Sequence, residues 1–104
     1  MDAQMKKGLL DIVVLKVLSI KDSYGYEIVE IVKPIMPISE NSLYPVLRRL
    51  LKQNCLETYS KEYHSRLRKY YHITDTGKQK IAKFVDQISD VEKIYNYISG
   101  DKNE

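Results

Sequence analysis

Tryptophan is absent from this 104-residue chain, and phenylalanine and cysteine occur once each. A lone Cys55 excludes an internal disulfide and fits a reducing compartment. Placed after a helical pattern and beside Leu56, it reads as a buried structural thiol. The longest apolar run, Ile12 to Leu15, is far too short to span a bilayer, and the first seven residues lack the apolar segment and cleavage site of a signal peptide. The expectation is a soluble, cytoplasmic protein with no membrane partner. Glycine is scarce, with four residues, and none of them forms a phosphate-cradling loop. His64 and His72 lack metal-ligand spacing with each other or with Cys55, and no nucleophile, base and orienter occur together. No metal, no cofactor and no enzymatic activity are expected.

What is present is localised positive charge. The net charge is only +3, but it is unevenly spread. Residues 48–69 carry seven basic groups (Arg48, Arg49, Lys52, Lys61, Arg66, Arg68 and Lys69) against Glu57 and Glu62, and the segments on either side are each slightly acidic. One cationic stretch in a small domain is the footprint of a polyanion binder.

The chain around it patterns as mainly α with a small β-hairpin, an α+β class. Apolar side chains lie nearly all round a first helix over Lys6–Ser19, so it needs covering on more than one side. Asp22 or Ser23 is the expected cap of a second helix, Tyr24–Lys33, in which Gly25 implies close packing. Pro34 and Pro37 end it, and Ser39 caps a third helix running to Gln53. There Leu43, Val46, Leu47, Leu50 and Leu51 share one face, leaving Asn41, Ser42, Tyr44, Arg48, Arg49 and Lys52 on the other. Pro45 predicts a kink or an irregular first turn, and Asn54 a left-handed stop. Leu56–Tyr63 and Arg66–Thr74 read as two strands around His64-Ser65, a basic hairpin interleaved with Tyr59, Tyr63, Tyr70 and Tyr71. Its turn carries no Asn-Gly signal, which leaves the tip conformation open. Thr74 caps a last helix, in which Ile81, Phe84, Ile88, Val91, Tyr95 and Ile98 recur in a 3-4-3-4-3 rhythm. That is a heptad seam for a second copy. The expected divisions are 1–74 as a winged helix-turn-helix, 75–99 as a dimerisation helix and 100–104 as a tail.

Three motifs, Tyr24-Gly-Tyr-Glu-Ile28, Ser42-Leu-Tyr-Pro-Val-Leu-Arg-Arg-Leu50 and Arg68-Lys-Tyr-Tyr-His-Ile-Thr74 followed by Gly77, resemble the PadR family of bacterial transcriptional regulators. The resemblance covers about Lys6 to Lys78. It implies a winged helix-turn-helix homodimer that represses nearby genes and often leaves DNA when a small molecule binds. The length matches the smaller subfamily, with one short C-terminal helix. Carried over by position, Ser42, Tyr44 and Arg48 become the recognition face, Arg68 and Lys69 the wing's phosphate contacts, and Tyr24 a contact at the start of helix two. The chain departs from the family pattern at Asn41 and Asn54, where glycine is common, and at Leu67, where proline is.

The residues then sort by chemistry. Asn41, Ser42 and Tyr44 are placed for base edges, while Arg48, Lys52, Arg66, Arg68 and Lys69 serve phosphate. The partners expected are double-stranded DNA, a second copy of the chain and a small-molecule effector. Phe84, Tyr95 and Tyr97 either line an interface cavity for a planar effector or fill the dimer core. A winged-helix protein-interaction module without specific DNA binding is the alternative function.

Overall fold

The first helix begins where Asp2 accepts a hydrogen bond from the Met5 amide at 2.8 Å. In the computed structural model, which describes residues 1–100, α1 runs Ala3–Ile20. It buries Leu10, Val14, Leu15, Val17 and Leu18, half-covers Ile12 and Val13, and leaves Ile20 exposed.

The next segment differs from its sequence pattern. Asp22 and Ser23 do not cap the second helix. Ser23–Tyr24 form a short strand, β1, and Tyr24 is the backbone N-cap of α2, Gly25–Val32, without a side-chain cap bond. The physical reason is competition for the two side chains. The Asp22 carboxylate is taken by Tyr59 and His72, and the Ser23 hydroxyl donates to the Lys21 carbonyl. A two-residue strand has no periodicity for a sequence to display.

Helix α3, Glu40–Lys52, opens on a capping box. The Ser39 hydroxyl accepts from the Ser42 amide while the Ser42 hydroxyl accepts from the Ser39 amide at 2.9 Å. Against the irregular turn that Pro45 leads one to expect, α3 is α-helical without a break. Proline has no amide to give, so the Asn41 carbonyl loses its helical partner on the exposed side. Leu43, Val46, Leu47 and Leu50 close the core against α1 and α2, each fully buried leucine contributing about 2 kcal/mol. Asn54 ends the helix at φ +62°, as expected. Its amide bonds the Leu51 carbonyl and that of Cys55 bonds Leu50, the paired bonds of a Schellman motif, with Cys55 and Leu50 both buried beside it.

Strands β2, Leu56–Tyr63, and β3, Arg66–Ile73, form the expected hairpin, and β1 adds to it as a third strand in the order β1-β3-β2. Tyr63 pairs with Arg66, so the turn is His64-Ser65 alone. Both residues are left-handed, at φ +52° and +65°, the sign that a two-residue I′ hairpin turn requires. No glycine or asparagine advertises it.

Thr74 caps α4, Asp75–Ser99, as expected, and its hydroxyl also donates to the Asn54 carbonyl at 2.6 Å. The helix opens tightly against the turn after α3: a Cβ on Gly77 would lie 2.5 Å from the Cys55 carbonyl oxygen and 2.6 Å from Ile73. Ile81 packs on the domain's own core, while Ile88, Val91, Tyr95 and Ile98 stand exposed along the remainder. Gly100 closes α4 at φ +75°. The rest of the expected tail, 101–104, lies outside the described residues.

Gly77→Ala should therefore cost about 2 kcal/mol, because the obstruction is backbone and cannot swing away. The midpoint of urea unfolding measures it. A midpoint equal to that of the unmodified chain would mean that the turn yields and that this contact is not tight.

Candidate nucleic-acid interface

Helix α3 offers one outward stripe, Asn41, Tyr44, Arg48 and Lys52, all exposed at three- and four-residue spacing. The adjacent Arg49 looks equivalent in sequence and is not. It turns inward, where its Nε donates to Asp11 of α1 at 3.1 Å and its Nη2 to the other oxygen of the same carboxylate. Asp11 is only 6% exposed, a charge sunk in an apolar helix and neutralised by a two-pronged partner. The hydrogen bond to Asp11 raises the Arg49 pKa, burial opposes it, and the Asp11 charge adds to the rise. Ser42 also differs from the stripe. Its hydroxyl is engaged with Ser39, and it faces the start of α1 rather than Tyr44.

The second part of the site comes from the sheet. Tyr24, Tyr26, Glu40, Tyr44, Arg68 and Lys69 surround an open cleft of about 260 Å³ between the starts of α2 and α3 and the hairpin. Gly25 admits the Tyr44 ring, whose hydroxyl would be 2.9 Å from any Cβ there, so the close packing that Gly25 implied is packing by Tyr44. Lys69 emerges beside Tyr71, its ammonium 5.7 Å from the ring centre. Burial raises the Tyr71 pKa, with a smaller contribution from Tyr44, so the phenol stays neutral.

Arg68 is held rather than free. Its guanidinium lies 4.3 Å from the Tyr24 ring centre and 4.2 Å from that of Tyr63, a cation between two aromatic faces. Tyr24 meets Tyr70 edge-on at 5.6 Å, and Tyr70 stacks on Tyr59 at 5.5 Å. The Tyr59 hydroxyl donates to Asp22 at 2.7 Å, and His72 Nδ1 lies 2.8 Å from the other Asp22 oxygen. A carboxylate cannot donate, so Nδ1 carries the proton. Burial works to raise the Asp22 pKa, but the His72 and Tyr59 hydrogen bonds and the His72 charge outweigh it and hold the group below its ordinary value. Arg66 is exposed at the hairpin tip, opposite Tyr63.

Of the residues expected at a nucleic-acid surface, the fold thus gathers Tyr24, Tyr44, Arg68 and Lys69 at one cleft. Asn41, Arg48 and Lys52 run alongside on α3, Arg66 stands at the tip, and Ser42 is turned aside. Tyr63 and Asp11 carry structural parts that the expected set lacks. Tyr63 could have been found from register, since a two-residue turn puts it diagonal to Arg68 on the same face. For Asp11, the signal was a lone carboxylate in an apolar helix. Among the described residues no cluster suits a metal ion, and no helix is long and apolar enough to cross a membrane.

Comparison with known proteins places this geometry. Residues 14–83 match the transcriptional regulator PadR-like family. A PadR-like transcriptional regulator from Bacillus cereus superposes with a TM-score of 0.82 at 32% identity, covering 98% of this chain and all of its own. A Streptococcus mutans protein gives 0.80 at 35% identity, covering 94% of this chain and 93% of its own. Bacillus subtilis PadR in complex with operator DNA shares the fold at 0.69 and 22% identity, over 74% of this chain and 46% of its own.

Two outcomes follow from the ion pairs. Arg49→Ala should cost about 2–4 kcal/mol by stranding Asp11, whereas Arg48→Ala should change stability by under about 0.5 kcal/mol. Urea denaturation of both variants checks this, and equal effects would remove the distinction drawn between the two arginines. The lowered Asp22 pKa contributes stability that is complete above the unfolded carboxylate value, about 3.9, and is lost as pH falls through the folded value. Asp22→Asn should therefore flatten the acid limb of the stability–pH curve below about pH 4. An unchanged limb would mean that Asp22 is not differentially charged.

Proposed function

The chain belongs to the PadR-like family of transcriptional regulators, and on that premise we propose that it is a homodimeric, sequence-specific DNA-binding repressor acting on an inverted-repeat operator. A transcriptional regulator is not an enzyme, and the site is a binding surface. The observation that carries the proposal is the convergence of Arg68, Lys69, Tyr24 and Tyr44 on one cleft beside the exposed stripe of α3. With α3 in the major groove, Asn41 and Tyr44 meet base edges, and the hairpin holds Arg68, Lys69 and Arg66 against the flanking phosphates. Ser42 joins them only by giving up part of its cap. That the Bacillus subtilis neighbour is in complex with operator DNA supports DNA as the partner.

The homodimer reading is supported by surface that one copy leaves uncovered. Ile88, Val91, Tyr95 and Ile98 are exposed on α4, and Ile12, Val17, Ile20, Ile31 and Ile35 line an apolar groove of about 310 Å³ against α1. Apolar surface on that scale is what a second copy would bury. Two recognition helices would then enter successive major grooves about 34 Å apart. Release by a small planar effector is the finer part of the proposal. It rests on Phe84 beside Ile12, with Tyr95 and Tyr97 exposed further along α4.

The test is fluorescence anisotropy with the DNA upstream of the protein's own gene and a shuffled duplex, at two salt concentrations. The native duplex should bind more tightly, with affinity falling steeply as salt rises; failure to bind any duplex at low salt would sink the proposal. Arg68→Ala should weaken both duplexes alike and flatten the salt slope by about one charge. A changed operator preference would instead make Arg68 a base reader. Ile88→Glu should split the dimer and abolish operator binding together, and a dimer that survives in sedimentation would remove the α4 seam.

A further inference from the structure

Charge counted along the chain puts the cationic stretch in residues 48–69 and leaves residues 1–47 slightly acidic as a whole, although α1 itself carries Lys6, Lys7 and Lys16 against Asp11 alone. The fold rearranges that distribution. The Asp11–Arg49 pair fixes α1 against α3, and the contact continues towards the N-terminal end of both helices. Lys6 and Lys7 line an open groove with Ser42, Pro45 and Arg49. Ala3, Lys6, Lys7 and Leu10 of α1 share that groove with Ser42, Pro45, Val46 and Arg49 of α3. The start of α1 therefore lies along the N-terminal half of α3, the half that a helix-turn-helix presents to base edges.

The groove is about 370 Å³, with Leu10, Pro45 and Val46 in its apolar wall and the two lysines at its side. Lys6 and Lys7 are both exposed. Of the nearby carboxylates, Asp11 is neutralised by Arg49, and Asp2, which caps α1 through the Met5 amide, offsets at most one of the two lysine charges. Both lysines precede the segment 14–83 that matches the family.

We infer that Lys6 and Lys7 form a second phosphate rail, on the side of the recognition helix opposite the hairpin. Arg68 and Lys69 hold one backbone strand of the DNA, and Lys6 and Lys7 hold the strand across the major groove. The apolar wall between Leu10 and Pro45 suits a deoxyribose, which offers carbon to carbon while its phosphates meet the ammonium groups. The inference rests on the DNA-binding reading above and extends it. Because both contacts are to backbone, the rail adds affinity and salt dependence without choosing sequence. Salt slopes report the number of phosphates neutralised, which a structural role would leave unmoved.

The experiment uses the full chain and a fluorescein-labelled mixed-sequence duplex of 30 base pairs, titrated by anisotropy from 50 to 200 mM salt. Lys69→Ala and the doubly charge-preserving variant Lys6→Arg with Lys7→Arg are the controls. Lys6→Ala with Lys7→Ala should lower the slope of log affinity against log salt by about 1.8 and weaken binding roughly tenfold at the higher salt. The arginine pair should keep the wild-type slope, and circular dichroism and sedimentation should be unchanged, since both side chains are on the surface. An alanine pair with the wild-type slope, while Lys69→Ala loses about one charge, would overturn the rail and leave the DNA reading standing. A wild-type chain that binds no duplex at 50 mM salt would overturn both.

Discussion

The pairing of Asp11 with Arg49 is the constraint on which the functional surface depends. A carboxylate 6% exposed within an apolar helix is unfavourable on its own, and only a rigid, two-pronged cation placed at one point on α3 relieves it. Leucines alone would hold α3 against α1 with some freedom to slide or rotate, because apolar contact is not directional. The ion pair removes that freedom. It fixes which residues of α3 look outward, and it separates two neighbouring arginines into one that builds the domain and one that faces solvent.

On the other side of the cleft the same end is reached with aromatic surface instead of charge. Nine of the ten aromatic residues are tyrosine, and those on the outer sheet face form a connected series from Tyr63 through Arg68, Tyr24 and Tyr70 to Tyr59, ending on Asp22 and His72. Tyrosine suits this because its ring packs while its hydroxyl stays hydrogen-bonded. A long arginine side chain normally loses rotamer freedom when it binds a phosphate. Here Arg68 is already ordered by two rings, so that for any anion it met the loss would have been incurred on folding.

The sequence carried most of the architecture because the helices are amphipathic and their stops are chemical. Ser39, Asn54 and Thr74 do what their side chains predict, and alternation with tyrosine marks the hairpin. The misses have physical causes. Ser23–Tyr24 is too short to show a period, and of the two expected caps Asp22 is claimed by Tyr59 and His72 from far along the chain, while the Ser23 hydroxyl is claimed by the Lys21 carbonyl. Pro45 is accommodated because it faces out near the helix start. The two left-handed residues at the hairpin tip are held there by strand pairing, against their local preference. At the surface, Tyr44, Arg68 and Lys69, singled out by residue type for nucleic acid, line one cleft, but residue type could not tell Arg48 from Arg49 or see that Ser42 is occupied. Those distinctions depend on which helix lies across α3, and that is a tertiary fact.

The junction at Gly77 joins parts otherwise treated separately. The turn that ends α3 supplies the Asn54 and Cys55 carbonyls, Thr74 and its hydroxyl bind both, and the first turn of α4 sits against Cys55 without room for a methyl group. Both feet of the hairpin and the root of the long helix are thus clamped into one block. From that fulcrum α4 extends some twenty-five residues, about 37 Å, while the hairpin reaches out along its own arm. With no room at the pivot to absorb a tilt of the long arm, the far end of α4 and the base of the hairpin are tied mechanically through one junction.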